Sequence, residues 1–243
     1  DTPGCGACTD FDAFMTCPKS STYSFATIAV QGFPSAVQNI SVRVDGDEIL
    51  LIEWLTPANT GTLSQVPSDI LAYVVTRSTA ADFSENLQTT TLTGAQISGN
   101  GASFRDTGLT ANVVYYYRVQ SRNAACGENT VCGEAATTSL RAVGVPSSPV
   151  GLSLSYLAGI PETIRGDWAL PIDTGLGDGG ANTDQPLTQY TLHINGAQQI
   201  LVGSGLNTTF IATGLTAGTS YTFVVTASNI AGEGSAISAS KIA

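Results

Sequence analysis

Gly108-Leu109-Thr110-Ala111 returns 106 residues later as Gly214-Leu215-Thr216-Ala217, and each copy reaches a tyrosine four residues after its alanine, Tyr115 or Tyr221. Beyond each tyrosine the apolar positions alternate, Tyr115, Tyr117 and Val119 in the first copy and Tyr221, Phe223, Val225 and Ala227 in the second. Period-two alternation of this kind is a strand with one buried face. Each copy therefore reads as a turn feeding a long strand. A leucine six residues ahead of a tyrosine at the start of a late strand is the arrangement of a tyrosine corner. There the ring fills the edge of a sandwich and the hydroxyl bonds to backbone across the turn.

The 243 residues suffice for two domains of about 100 residues, each with its own core. Only 12% of the residues are charged and two are lysine, Lys19 and Lys241, so the surface must be built mostly of Ser, Thr, Gly, Asn and Gln. A net charge of −10, with no cluster of Lys and Arg, argues against a nucleic-acid partner. No apolar run approaches the roughly 18 residues of a membrane span. The numbering opens on Asp1, and the chain reads as a mature or excised piece of something secreted.

On the twice-spoken Gly-Leu-Thr-Ala phrase and its tyrosines, the chain resembles the fibronectin type III family, twice over. The resemblance implies an all-β fold of two seven-stranded immunoglobulin-like β-sandwiches in tandem. It places Trp54 and Trp168 on the B strands, Tyr73 and Tyr190 on the C strands, and these four with Tyr115 and Tyr221 in the two cores. The strands of the first repeat read as 37–44, 48–54, 70–77, 87–92, 102–105, 113–122 and 131–140. In the second they read as 152–156, 163–169, 188–195, 198–202, 208–212, 220–229 and 235–242. The resulting division is a cysteine-rich segment over 1–32, one sandwich over 33–144 and another over 145–243. A linker over 143–150 is stiffened by Pro146 and Pro149. Both ends read as cuts through a longer array.

Cys126 and Cys132, on either side of Gly127-Glu128-Asn129, read as a disulfide across a hairpin. Cys5, Cys8 and Cys17 are an odd set: two pair, and the third seeks a partner outside the chain or stays free. An oxidising, extracellular compartment accommodates all five. A zinc site at Cys5 and Cys8 lacks a fourth soft ligand nearby, since the one histidine, His193, is far away in sequence.

Neither a catalytic constellation nor a phosphate loop is legible. Alternation sends His193 to the outer face of its strand as a solvated imidazole. Arg165-Gly166-Asp167 spells an integrin-recognition tripeptide, but it runs straight into Trp168 on a strand instead of sitting on a loop tip. The loop from Asp173 to Asp184 spreads Asp173, Asp178, Asn182 and Asp184 among four glycines, oxygen ligands of the kind calcium takes, although without the spacing of a helix-flanked calcium loop. Beyond calcium there, no cofactor is called for. Asn39-Ile40-Ser41 and Asn207-Thr208-Thr209 are sequons for N-linked glycans.

These readings point to a non-catalytic structural or adhesive segment of a larger extracellular protein, partnered by like copies of itself or by other extracellular proteins. Two alternatives are accessory spacer domains of a secreted carbohydrate-active enzyme and a receptor ectodomain that binds a protein ligand. Few lysines guard the sheet edges, which favours assembly, and 23–30 is a candidate strand for adding to a neighbour's sheet.

Overall fold

Alternation in the sequence becomes burial in the structure. In β2 (Ile49–Leu55) the side chains of Leu50, Ile52 and Trp54 are buried while Glu53 and Leu55 face outward. Strand β7 (Val114–Arg122) buries Tyr115, Tyr117, Val119 and Ser121 in the same rhythm. The computed structural model describes residues 31–94, 97–98, 100–127, 132–176, 187–201 and 207–243. The segment 1–32, with Cys5, Cys8, Cys17 and the candidate strand 23–30, lies outside these residues apart from Gln31 and Gly32.

The remaining strands of the first half are β1 (Gln38–Gly46), β3 (Ala72–Ser78), β4 (Gln88–Thr93), β5 (Ile97–Ser98), β6 (Gly101–Asp106) and β8 (Ala136–Arg141). One sheet runs β1-β2-β6-β5 and the other β4-β3-β7-β8, every pair antiparallel. The second half has β9 (Val150–Tyr156), β10 (Ile164–Ala169), β11 (Gln189–Ile194), β12 (Ala197–Leu201), β13 (Thr209–Ala212), β14 (Ser220–Asn229) and β15 (Gly232–Ile242). Its sheets run β9-β10-β13 and β12-β11-β14-β15.

Two facing sheets bury one core in each half. In the first, Trp54 meets Tyr73 edge-on with ring centroids 5.4 Å apart. In the second, Trp168 meets Tyr190 at 5.2 Å, and Phe210 stacks on Phe223 at 5.0 Å. Both tyrosine corners are closed by the same bond: the Thr110 N–H donates to the Tyr115 hydroxyl and the Thr216 N–H to the Tyr221 hydroxyl, each at 3.0 Å. Gly108 (φ 67°) and Gly214 (φ 69°) take the left-handed conformation that the turn before each tyrosine requires.

The structure departs from the sequence reading at three places. The first sandwich gains an eighth, two-residue strand, β5, which pairs antiparallel with β6, Ile97 opposite Ala102 and Ser98 opposite Gly101. Strand β8 starts at Ala136 instead of Val131: Gly133 still donates to the Ser121 carbonyl at 3.2 Å, but residue-for-residue pairing with β7 begins only at Ala136, opposite Val119. The disulfide between Cys126 and Cys132, Cα atoms 5.7 Å apart, therefore closes the loop beyond the strands and does not cross a ladder. The third departure is one turn of 3-10 helix at Pro67–Asp69.

Candidate functional site

The most elaborately built polar site lies where the chain enters each sandwich, and it is built twice. Asn123, just past the end of β7, is 2% exposed. Its amide donates to the carbonyls of Gly32 (2.9 Å) and Thr60 (2.8 Å), while its own oxygen accepts from the Ala125 N–H (3.1 Å). At the end of β14, Asn229 donates to Gly144 (2.8 Å) and Thr174 (2.9 Å) and accepts from Ala231 (2.7 Å). The incoming glycine is held a second time in each copy, by Gly32 N–H to Gly61 O and Gly144 N–H to Gly175 O, both 2.7 Å. Gly61 and Gly175 combine positive φ (76° and 114°) with no room for a side chain, since a Cβ would fall 2.3 Å and 2.2 Å from the incoming carbonyl oxygen.

The second copy of this clamp forms the joint between the sandwiches. Val143, Leu176 and Ala231 are buried together, with Val44 of β1 and Val145 packed against them. Around this apolar plug the Val145 N–H donates to the Asp47 carboxylate at 2.9 Å and the Glu48 N–H to the Val143 carbonyl at 2.9 Å. Glu48 takes a left-handed φ of 53°, which lets its carbonyl accept from Leu109 at 3.2 Å and its carboxylate from Ala111 at 3.2 Å. The end of the first sandwich is thereby tied to its tyrosine corner on one side and to the following chain on the other. Replacing Asn229 by Ala strands two buried carbonyls and should lower the stability of the second sandwich by about 1–3 kcal/mol in chemical denaturation.

Asp173 belongs to this clamp. Its Oδ1 accepts from the Gly175 N–H (2.8 Å) and the Leu176 N–H (3.1 Å) and its carbonyl from the Ser147 N–H (2.8 Å). In the first sandwich neutral Asn59 does the same for Gly61 (2.8 Å) and Ser35 (2.9 Å), so the turn uses an oxygen acceptor and does not depend on its charge. Asp178, Asn182 and Asp184 lie outside the described residues. Among the described residues no group of three or more His, Cys, Asp and Glu stands in metal-binding array.

Arg165-Gly166-Asp167 sits in β10, the middle strand of its sheet, where the Arg165 guanidinium bonds Asp167 at 2.7 Å. That hydrogen bond holds the Asp167 carboxyl below the usual carboxylate range. The tripeptide is thus held on a central strand, its two part-exposed charges paired with each other, and is not presented on a loop tip. Gly166 has a packing role: a Cβ there would lie 2.1 Å from the Phe210 ring. Gly166→Ala should cost about 1–3 kcal/mol in thermal or chemical denaturation, with Asp167→Ala much milder.

His193 is half-buried, and its neighbour Thr191 on the outer face is 2% exposed, so this face is more covered than alternation alone implied. Asn39 and Asn207 are both exposed. Sequence reading missed the clamp, although its signal is present: Trp54-x-x-Pro57-x-Asn59-Thr60-Gly61 and Trp168-x-x-Pro171-x-Asp173-Thr174-Gly175 are the same phrase, as are Asn123-x-Ala125 and Asn229-x-Ala231.

No family model matches the chain. Exoglucanase B of Cellulomonas fimi is 31% identical over 188 residues, which is 72% of this chain and 16% of that protein. The chain therefore spans a small part of the length of this curated relative. Among solved structures, the FN1–FN3 domains of chicken CNTN1 match with a TM-score of 0.52 at 17% identity, over 87% of this chain and 68% of that one. At that identity the likeness speaks for the fold alone. With two Trp–Tyr cores, two tyrosine corners and antiparallel facing sheets, the chain is an all-β protein of two sandwiches with the fibronectin type III fold.

Proposed function

We propose that the chain is a non-catalytic structural or adhesive segment of a larger extracellular protein, working within a repeating filament or matrix. The observation that carries this reading is the joint. A plug of Val44, Val143, Val145, Leu176 and Ala231, ringed by backbone hydrogen bonds, resists bending where a bare linker would not. A load-bearing array needs joints of this kind, and enzymatic chemistry does not. The edge strand β4 adds support: it carries Gln88 and four threonines with no charge or proline, and most of it is exposed, so nothing in its own sequence guards it against pairing.

The likeness to part of an exoglucanase favours a second reading, spacer domains within a secreted carbohydrate-active enzyme. One experiment separates the two. Native protein captured with an antibody to this chain is viewed by electron microscopy and assayed on cellulose. Regular fibres without hydrolysis support the structural reading, and cellulose cleavage by the same polypeptide overturns it.

An extracellular setting also predicts N-linked glycans. Both sequon asparagines are exposed, and Asn39 stands at a register shift of β1, with φ 49° turning it out of the ladder. Peptide mass spectrometry of native material should find a glycan on Asn39 or Asn207; two bare asparagines would refute this. Calcium binding over residues 173–184 would raise the melting temperature of the second sandwich on titration, and an unchanged value dismisses it.

A further inference from the structure

Between the connection 79–87 and its tyrosine corner, the first sandwich holds a polar recess of about 580 Å³, lined by Arg77, Thr79, Asn86, Gln88 and Tyr115 among others. That volume is in the range of small-ligand sites. Strand register places Ile194 of the second sandwich where Arg77 stands in the first, since Arg77 pairs with Tyr117 and Gln88 as Ile194 pairs with Phe223 and Ala197. There Asn195 and Gly196, with φ of 49° and 86°, join β11 to β12 in a tight hairpin. Asp106, which holds Arg77, and Tyr117, which donates to Asp106, have apolar Ala212 and Phe223 as counterparts. The second sandwich closes without the ion pair and without the longer connection, so neither is needed to complete the fold.

Both are nevertheless built firmly. The Ser78 hydroxyl donates to the Glu85 carbonyl at 2.6 Å, the Asn86 amide to the Thr79 hydroxyl at 2.9 Å, and the Arg118 guanidinium covers the Phe83 ring at 4.7 Å. The connection is thereby fixed before any ligand arrives, which lowers the cost of binding one. Arg77 spends a single nitrogen, Nη1, on both Asp106 oxygens, at 2.9 and 3.1 Å. Among the described residues nothing accepts from its Nε or Nη2, and neither atom is sealed from solvent as the Nε atoms of Arg118 and Arg122 are. A guanidinium steadied by a carboxylate on one side presents its other edge as a planar fork, which a second carboxylate matches with two parallel bonds. With Asp106 already against the cation, a carboxylate suits the site better than a phosphate dianion, whose second charge would go uncompensated.

Gln88 shows how such a group would arrive. It opens the exposed edge strand β4 and lies opposite Arg77, so the two side chains share a face. A polypeptide strand added to β4 sets one residue opposite Gln88 on that same face, two strand spacings or about 10 Å from Arg77. A glutamate there and Arg77 reach each other between them. A sugar acid finds less to hold, because Tyr115 is 7% exposed with the Arg77 guanidinium over its ring, which leaves no open aromatic face for a sugar to stack on.

We propose that this recess is a carboxylate-binding site for an extended acidic segment of a partner polypeptide, which pairs with β4 and seats one glutamate on the free Nε–Nη2 edge of Arg77. Asp106 positions the fork and does not touch the partner. The site goes beyond the readings above and stands whether the chain builds a filament or spaces an enzyme.

The test is an NMR titration of the full 243-residue chain, isotope-labelled, with the capped peptide Thr-Gln-Thr-Glu-Thr-Gln-Thr, with the same peptide carrying Gln at its centre, and with a galacturonate oligosaccharide. The Glu peptide should shift the Arg77 Nε–H signal and the amides of β4 together and saturably, and the Gln peptide should bind about tenfold more weakly or less. Arg77→Lys, which keeps the charge and loses the fork, should erase most of that preference. The triple variant Arg77→Ile, Asp106→Ala, Tyr117→Phe, which copies the core of the second sandwich, should remain folded by its amide spectrum and bind both peptides equally weakly. No binding of the Glu peptide, equal binding of the two peptides by the wild type, or a preference that survives the triple variant overturns the proposal. Shifts at Arg77 without shifts in β4, or an oligosaccharide that binds as well as the Glu peptide, overturn the polypeptide strand as its occupant.

Discussion

Asp106→Ala should destabilise the first sandwich by about 3–5 kcal/mol, as the loss of one partner from a buried ion pair does. Asp106, at the end of β6, is 7% exposed and accepts from Arg77 at 2.9 and 3.1 Å and from the Tyr117 hydroxyl at 2.8 Å. The Arg77 side chain is 14% exposed and lies over the Tyr115 ring at 5.2 Å, so removing the carboxylate leaves a cation in place with no counterion that water can replace. The second sandwich supplies the control. By strand register its counterparts of Arg77, Asp106 and Tyr117 are Ile194, Ala212 and Phe223, all packed in its core. The triple variant Arg77→Ile, Asp106→Ala, Tyr117→Phe should therefore be near neutral, or more stable by about 1–4 kcal/mol, since it removes both charges and the hydroxyl together. A denaturant series on the three chains decides it: a triple variant as unstable as Asp106→Ala would contradict the account.

The same cluster sets an alkaline limit. Burial, and then the Asp106 carboxylate, push the Tyr117 phenol far above its ordinary range. The folded state therefore holds this proton more tightly than the unfolded state. Its contribution is complete below the unfolded value of about 10 and is lost progressively as pH rises beyond it. Tyr117→Phe should flatten the fall in stability of the first sandwich above pH about 10.

Trp168→Ala should cost about 3–5 kcal/mol, a large share of what a single domain possesses. Its ring is 5% exposed and touches both sheets, edge-on to Tyr190 at 5.2 Å and tilted against Phe210 at 6.1 Å. Phe210 in turn stacks on Phe223, so the cavity opens in the middle of a chain of rings that cannot close on it without moving a strand. Trp54→Ala should cost a similar amount, since Trp54 is 3% exposed and pairs with Tyr73. Separate loss of the two transitions in thermal unfolding checks both. A change below about 1 kcal/mol in either variant would count against the core assignment.

The class of fold and its double occurrence were legible in the residues alone, because both follow from local rules. Alternation in Tyr115, Tyr117 and Val119 can only be a half-buried strand, and a leucine, a turn and a tyrosine in fixed order can close only one way. What local rules could not carry was any partnership across the chain. The Asn229 amide bonds Gly144 and Thr174, residues 85 and 55 positions away, and nothing in the residue itself marks it off from an ordinary polar side chain past the end of a strand. Asp173 shows the same limit: the sequence marks it only as an oxygen donor among glycines, whereas the Gly175 and Leu176 amides that its Oδ1 accepts from are placed by the fold. Arg77, read from the sequence only as the last residue of its strand, proved to be an inward cation, because its counterion Asp106 comes from the opposite sheet. Charge and hydrogen-bonding capacity acquire a role only once the fold has chosen which groups are shut away from water together.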